Sequence, residues 1–118
     1  MTGDNPATCR ICEILRKHAS GEEQQQIVYE SEHSIAIYIT QKSWAQEHIA
    51  ISTKKHIPTI FDLTEDDNEI VTDVMNAIKT ASKKLISLKG ACKLEMYLGE
   101  FQNTKHFHCH VIYNPSDD

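Results

Sequence analysis

The sequence predicts an α+β domain in which a five-stranded antiparallel sheet carries one long helix, with a short helix at its N-terminal end. Three observations lead there. Short segments rich in β-branched and aromatic residues recur between polar turns; one run over residues 64–90 repeats its apolar positions at three and four; and the chain nears its end on HFHCHVIY, residues 106–113, with histidine at every second place. In a strand, side chains at i, i+2 and i+4 share a face, so His106, His108 and His110 stand together while Phe107, Cys109 and Val111 turn to the core.

The elements follow in order. Residues 1–8 read as a loose lead-in to a single domain covering residues 1–118. CRICEILRKHAS then sets Ile11, Ile14 and Leu15 at helical spacing and stops near Gly21, a short helix with Cys9 and Cys12 on or near one face. Residues 21–26 are polar and turn-like. IVYESEHSIAIYI, residues 27–39, alternates around a polar middle, which predicts two antiparallel strands joined by a tight turn. A polar connection, TQKSWAQE, leads into HIAIST, whose β-branched content marks a third strand. Thr64 opens TEDD as an N-cap with acidic residues in the first helical turn, where they complement the helix dipole. From there Ile70, Val74, Ala77, Ile78, Ala81, Leu85 and Leu88 repeat at helical spacing, Lys79, Lys83, Lys84 and Lys89 form a solvated face, and Gly90 closes the helix. KLEMYL and HFHCHVIY supply the last two strands.

Composition narrows the function. With 40% hydrophobic and 25% charged residues, the 118-residue chain can bury a core of its own. A net charge of -5 excludes a generic nucleic-acid binder, whose affinity comes from accumulated Lys and Arg, so any anionic ligand must be held locally. No apolar run approaches membrane-spanning length, and MTGDNPATCR lacks the basic start and apolar core of a secretion signal, so the expected compartment is the cytoplasm. There the four cysteines are expected as thiols or metal ligands rather than disulfides.

Chemistry concentrates at two places. Three imidazoles on one strand face are costly to bury unless they bind metal, phosphate or one another. Cys9 and Cys12 have the spacing of a redox pair, half a zinc site, or two buried small hydrophobes, and His56 together with the terminal cluster could complete a Cys2His2 site. His18 and His33, among polar neighbours, are expected to be exposed; Cys92 and Cys109 are expected as core thiols.

HFHCHVI resembles the His-x-His-x-His-x-x signature of the histidine triad superfamily of nucleotide hydrolases and transferases. CRICEI resembles the opening of its zinc-bearing branch, YESEHSIAIYI its first hairpin, and HIAISTKKHI its third strand and the histidine beyond it, so the resemblance runs from about Cys9 to Tyr113. It implies a nucleotidyl-histidine intermediate formed by His108 at the α-phosphorus of a purine nucleotide conjugate: a phosphoramidate, an adenylylated amine or a dinucleoside polyphosphate. His110 would contact the phosphoryl oxygens, His48 would support the cluster, and Gln102 would lie beside the phosphates. The resemblance further implies structural zinc on Cys9, Cys12, His56 and His106, and a homodimer.

The chain departs from the family's pattern at substrate positions. Ile39, with Thr40 beside it, replaces the acidic or amide residue expected to bond the ribose. Glu47 replaces a glycine, Trp44 sits in the connecting loop as a base-stacking or packing residue, and Asn103 stands where a hydroxyl usually assists the leaving group. A zinc-stabilised nucleotide-binding module with little turnover is the alternative these changes raise; a metal-handling or redox protein is another.

Overall fold

The computed structural model describes residues 5–41 and 45–116; Trp44 lies outside them. Helix α1 (Arg10–Ser20) precedes strands β1 (Ile27–Glu30), β2 (Ser34–Tyr38) and β3 (Glu47–Thr53); helix α2 (Asn68–Lys89), β4 (Lys93–Glu95) and β5 (His108–Tyr113) complete the order. The strands form one antiparallel sheet ordered β1-β2-β3-β5-β4. This is the α+β arrangement the alternating segments predict.

Alternation sorts the sheet into two faces. Ala36, Ile49, Ile51, Cys109 and Val111 point to one side and bury against Ile70, Val74, Ala77, Ala81 and Leu85 of α2. The opposite face carries Ile35 and Ile37 of β2, His48 and Ser52 of β3, and His108 and His110 of β5. The lysines on α2 are exposed, as their position opposite the apolar stripe requires.

The helix ends are set by local chemistry. α1 stops at Gly21 (φ 82°) and α2 at Gly90 (φ 87°), left-handed positions where a side chain would be strained. Thr64 does cap a helix, but a 3-10 turn over Glu65–Asp67 rather than α2 itself: its hydroxyl accepts from the Asp66 amide and Asp67 bonds back to the Thr64 amide, so α2 begins only at Asn68.

β5 starts at His108, two residues later than the alternation suggests. The chain at His106 is held instead by the contacts of its ring with Cys9, Cys12 and Thr53 and by Phe107, which donates to the Ile57 carbonyl at 2.6 Å and accepts from the Thr53 amide at 3.4 Å. His106 therefore leaves the row of His108 and His110 and is fully buried. His18 and His33 are also less open than expected: His18 accepts from the Gln25 amide at 3.2 Å beside Glu30, and His33 lies between Glu32 and Glu69.

Candidate active site and metal centre

The CxxC spacing makes a helix start. Cys9 is the N-cap of α1, and its sulfur accepts from the Cys12 amide at 3.3 Å. That puts two sulfurs at the N-terminal end of a helix. The backbone pairing around Phe107 brings the two histidines in from the other side: the His56 and His106 rings meet edge to face with centroids 5.2 Å apart. One ligand atom from each of Cys9, Cys12, His56 and His106 lies within 4.8 Å of the others. His106 Nδ1 is 3.3 Å from the Cys9 sulfur and 3.5 Å from that of Cys12, and His56 Nδ1 is 3.3 Å from Cys12.

The donor set fits a metal ion. The other nitrogen of His106, Nε2, is 2.6 Å from the Thr53 carbonyl, which can only accept; Nε2 therefore carries the proton and Nδ1 turns its lone pair to the sulfurs. Burial lowers the His106 pKa to about 4, so the ring is neutral, as a ligand must be. His56 Nε2 is buried with no hydrogen-bond partner among the described residues, so its Nδ1 is the atom that holds the ring. Without a cation, burial and then the neighbouring Cys9 push the Cys12 thiol up to about 11. A divalent ion reverses that balance by taking the thiolate as a ligand.

One residue pair further on, the same logic prepares a different group. His108 Nδ1 is 2.6 Å from the His106 carbonyl and donates to it, which leaves the His108 Nε2 lone pair unprotonated. His110 meets His108 edge to face at 5.2 Å and bonds His48 through Nδ1, 2.8 Å from His48 Nε2. Burial, then His108 and His48, lowers the His110 pKa to about 4, so His110 is neutral at pH 7 and acts there as a dipole rather than a cation. The three imidazoles follow one another ring to ring, and of them only His48 is buried.

The remaining candidates fall around this line. Ile39 is half-buried and its amide donates to the His48 carbonyl at 2.8 Å, so it extends the sheet beside the cluster; Thr40 is exposed. Gln102 is buried, and its amide nitrogen donates to the Pro58 and Thr104 carbonyls at 2.8 and 3.0 Å, bracing the loop after β3 against the loop before β5. Asn103, next to it, is exposed.

The model of the family described as scavenger mRNA decapping enzyme C-term binding matches residues 12–118. The chain belongs to this family, within the histidine triad superfamily. A histidine triad family hydrolase from Clostridium thermocellum is 26% identical, covers 92% of this chain and 91% of its own, and superposes with a TM-score of 0.70. A family member from Bacillus anthracis is 27% identical over 94% of this chain and 74% of its own, with a TM-score of 0.72. A family hydrolase from Legionella pneumophila, at 24% identity, shares the fold over 92% of this chain and 94% of its own, with a TM-score of 0.73. No curated protein matches the chain.

In this histidine triad chain some site features escape sequence reasoning. Tyr97 packs its ring 5.5 Å from that of His110 and donates its hydroxyl to Glu95, the residue opposite His110 on β4. The Thr53 carbonyl fixes His106, and a backbone acceptor leaves no mark on residue type. Only the strand register could reveal the first, and only coordinates the second.

Proposed function

We infer that this chain is a nucleotide hydrolase or transferase acting at the α-phosphate of a purine nucleotide conjugate, with His108 as nucleophile. The observation that carries this reading is the bond from His108 Nδ1 to the His106 carbonyl. It fixes the tautomer whose Nε2 lone pair can attack phosphorus. As the Nε2–P bond forms and the bond from phosphorus to the leaving group breaks, the departing atom takes the electron pair and a proton from solvent water, and the imidazole becomes cationic. The His106 carbonyl then faces a charged N–H rather than a neutral one, an interaction stronger in the transition state than before it. Water next adds to phosphorus, the Nε2–P electrons return to His108, and the water proton leaves. His110, held by His48, offers its outer nitrogen to the phosphoryl oxygens.

Zinc is the ion this Cys2His2 set suits best: four donors of this type make a closed tetrahedral site with no position for substrate. Bound there, it would tie α1 and the loop after β3 to the residue whose carbonyl orients His108. Such a site needs reduced thiols, which supports a cytoplasmic setting. A homodimer is supported by β4, an edge strand whose Leu94 is 54% exposed on the helix-bearing face, with Val71 and Met75 of α2 also exposed on that side.

The stereochemical course at phosphorus tests the enzyme reading. A substrate with a chiral α-phosphorothioate, hydrolysed in heavy-oxygen water, should give net retention, since two successive displacements each invert. Net inversion would remove the covalent intermediate. Tight binding with no product would favour the nucleotide-binding module, to which the exposed Asn103 and the apolar Ile39 also incline.

A further inference from the structure

Thr53, the last residue of β3, is wholly buried, and its polar atoms are directed at the two chain segments that carry His56 and His106. Its amide donates to the Phe107 carbonyl at 3.4 Å, and its carbonyl accepts from His106 Nε2 at 2.6 Å. The side chain adds a second set of contacts. Its hydroxyl donates to the Lys55 carbonyl at 2.8 Å, and the same oxygen stands 3.4 Å from His106 Nε2. The Lys55 carbonyl can only accept, so the hydroxyl proton is spent there and the lone pairs of Oγ1 face the His106 N–H, which the Thr53 carbonyl and hydroxyl share.

The Lys55 carbonyl belongs to the peptide group that leads directly into His56. What the bond to it does follows from a contrast between two imidazoles. A histidine that holds a metal through one nitrogen is ordinarily oriented by a hydrogen bond from the other. His106 makes that second bond, to Thr53; His56 does not, since its Nε2 is buried without a partner among the described residues. The His56 ring therefore takes its position from its own main chain. That stretch is held at three carbonyls: Lys55 by the Thr53 hydroxyl, Ile57 by the Phe107 amide at 2.6 Å and Pro58 by the Gln102 side chain at 2.8 Å. Of these three donors, the Thr53 hydroxyl is the one that also lies against a ring nitrogen of His106.

Burial makes the link costly to lose. With no water to replace it, the Lys55 carbonyl stripped of its donor bears the full penalty of a buried unpaired group. Valine has nearly the shape of threonine, so Thr53→Val removes the hydroxyl contacts and leaves the backbone bonds of residue 53 in place.

We propose that the Thr53 hydroxyl is a positioning group of the metal centre, a strut between its two histidines that sets how they face the sulfurs and, through the His106 carbonyl, how His108 is held. The proposal rests on the reading of Cys9, Cys12, His56 and His106 as a zinc centre and adds to it a residue outside the four donors.

The zinc affinity of the full chain, measured by competition with a chromophoric chelator, and the ligand-field spectrum of the cobalt-loaded chain test it on wild type, Thr53→Val and Thr53→Ser. Thr53→Val should bind zinc about 10- to 100-fold more weakly, the range for removing a group that orients a ligand, with its cobalt bands displaced from those of the wild type. Thr53→Ser, which keeps the hydroxyl and loses one methyl group, should return both affinity and bands toward the wild type. A Thr53→Val chain with wild-type affinity and bands would overturn the strut and leave the centre standing, as would a Thr53→Ser chain that binds as weakly as Thr53→Val. A wild type that takes up no zinc would overturn the centre and the strut with it. In the zinc-loaded wild type the Thr53 hydroxyl proton should be visible by nuclear magnetic resonance in slow exchange with water, whether or not either variant folds; fast exchange would remove the bond to Lys55 and the proposal with it.

Discussion

His106 and His108 are the same residue type two positions apart, and they end in two different kinds of environment. His106 is fully buried, with Nε2 spent on the Thr53 carbonyl and Nδ1 aimed at two sulfurs. His108 is half-exposed, with Nδ1 spent on the His106 carbonyl and Nε2 left with its lone pair. In each ring a backbone carbonyl takes one nitrogen and so decides what the other can do. What differs is access: His106 is wholly buried beside Cys9, while His108 and His110 stay partly exposed on the sheet face. The lesson is that the tautomer is set by the main chain and the task by burial, and that one site is coupled to the other through a single carbonyl.

The largest expected effect separates the two regions outright. His108→Ala should lower turnover by about three orders of magnitude or more, since the proposed covalent nucleophile has no substitute, while metal content stays at that of the wild type. Turnover and metal lost together would mean that the two regions are one. Next, Cys12→Ser should release the metal, destabilise α1 toward hydrogen exchange and reduce turnover by about 10- to 100-fold, the range for groups that orient a reacting residue from behind. Exchange mass spectrometry and metal analysis read the two consequences separately. His48→Ala should cost about tenfold in turnover by freeing His110 to rotate, with a smaller change in ligand affinity; steady-state kinetics on one phosphoramidate would show it.

The smallest effect concerns pH. His110, faced by His48, His108 and Tyr97 with Glu95 beyond, stays neutral down to about pH 4, whereas an unfolded histidine takes its proton near 6.5. The unfolded chain binds that proton first, so the stability due to the ring held neutral is complete above about pH 6.5 and is lost as the pH falls toward 4. Urea unfolding at pH 7 and pH 5 should show a steeper loss in the wild type than in His110→Phe. An equal loss would show that the ring is not held neutral by its surroundings.

Much of this was legible in the residues. Alternation in SIAIY and EHIAIST, and the three-and-four spacing through α2, gave the sheet, the helix and the face each strand buries, because burial on one side is what those periods encode. Cys9, Cys12, His56 and His106, which the fold gathers into one cluster, were legible as types, and the resemblance joined them. The start of β5 was not, because the loop from His56 and the cysteine pair pull His106 out of the strand, a tertiary effect. Asp73 was equally hidden: a carboxylate on the buried side of α2 holds the β1–β2 turn through Tyr29, Ser31 and the His33 amide, and in sequence it looks like one more polar residue of a helix. Glu95 and Tyr97 come to His110 only through the pairing of β4 with β5, which no local pattern specifies.

The most direct test is native mass spectrometry of wild type and His108→Ala, each quenched after mixing with an adenosine phosphoramidate. A nucleotidyl adduct that rises and decays on His108 in the wild type, and is absent from a His108→Ala protein that still carries its metal ion, is the result predicted. A covalent adduct formed by His108→Ala would contradict it.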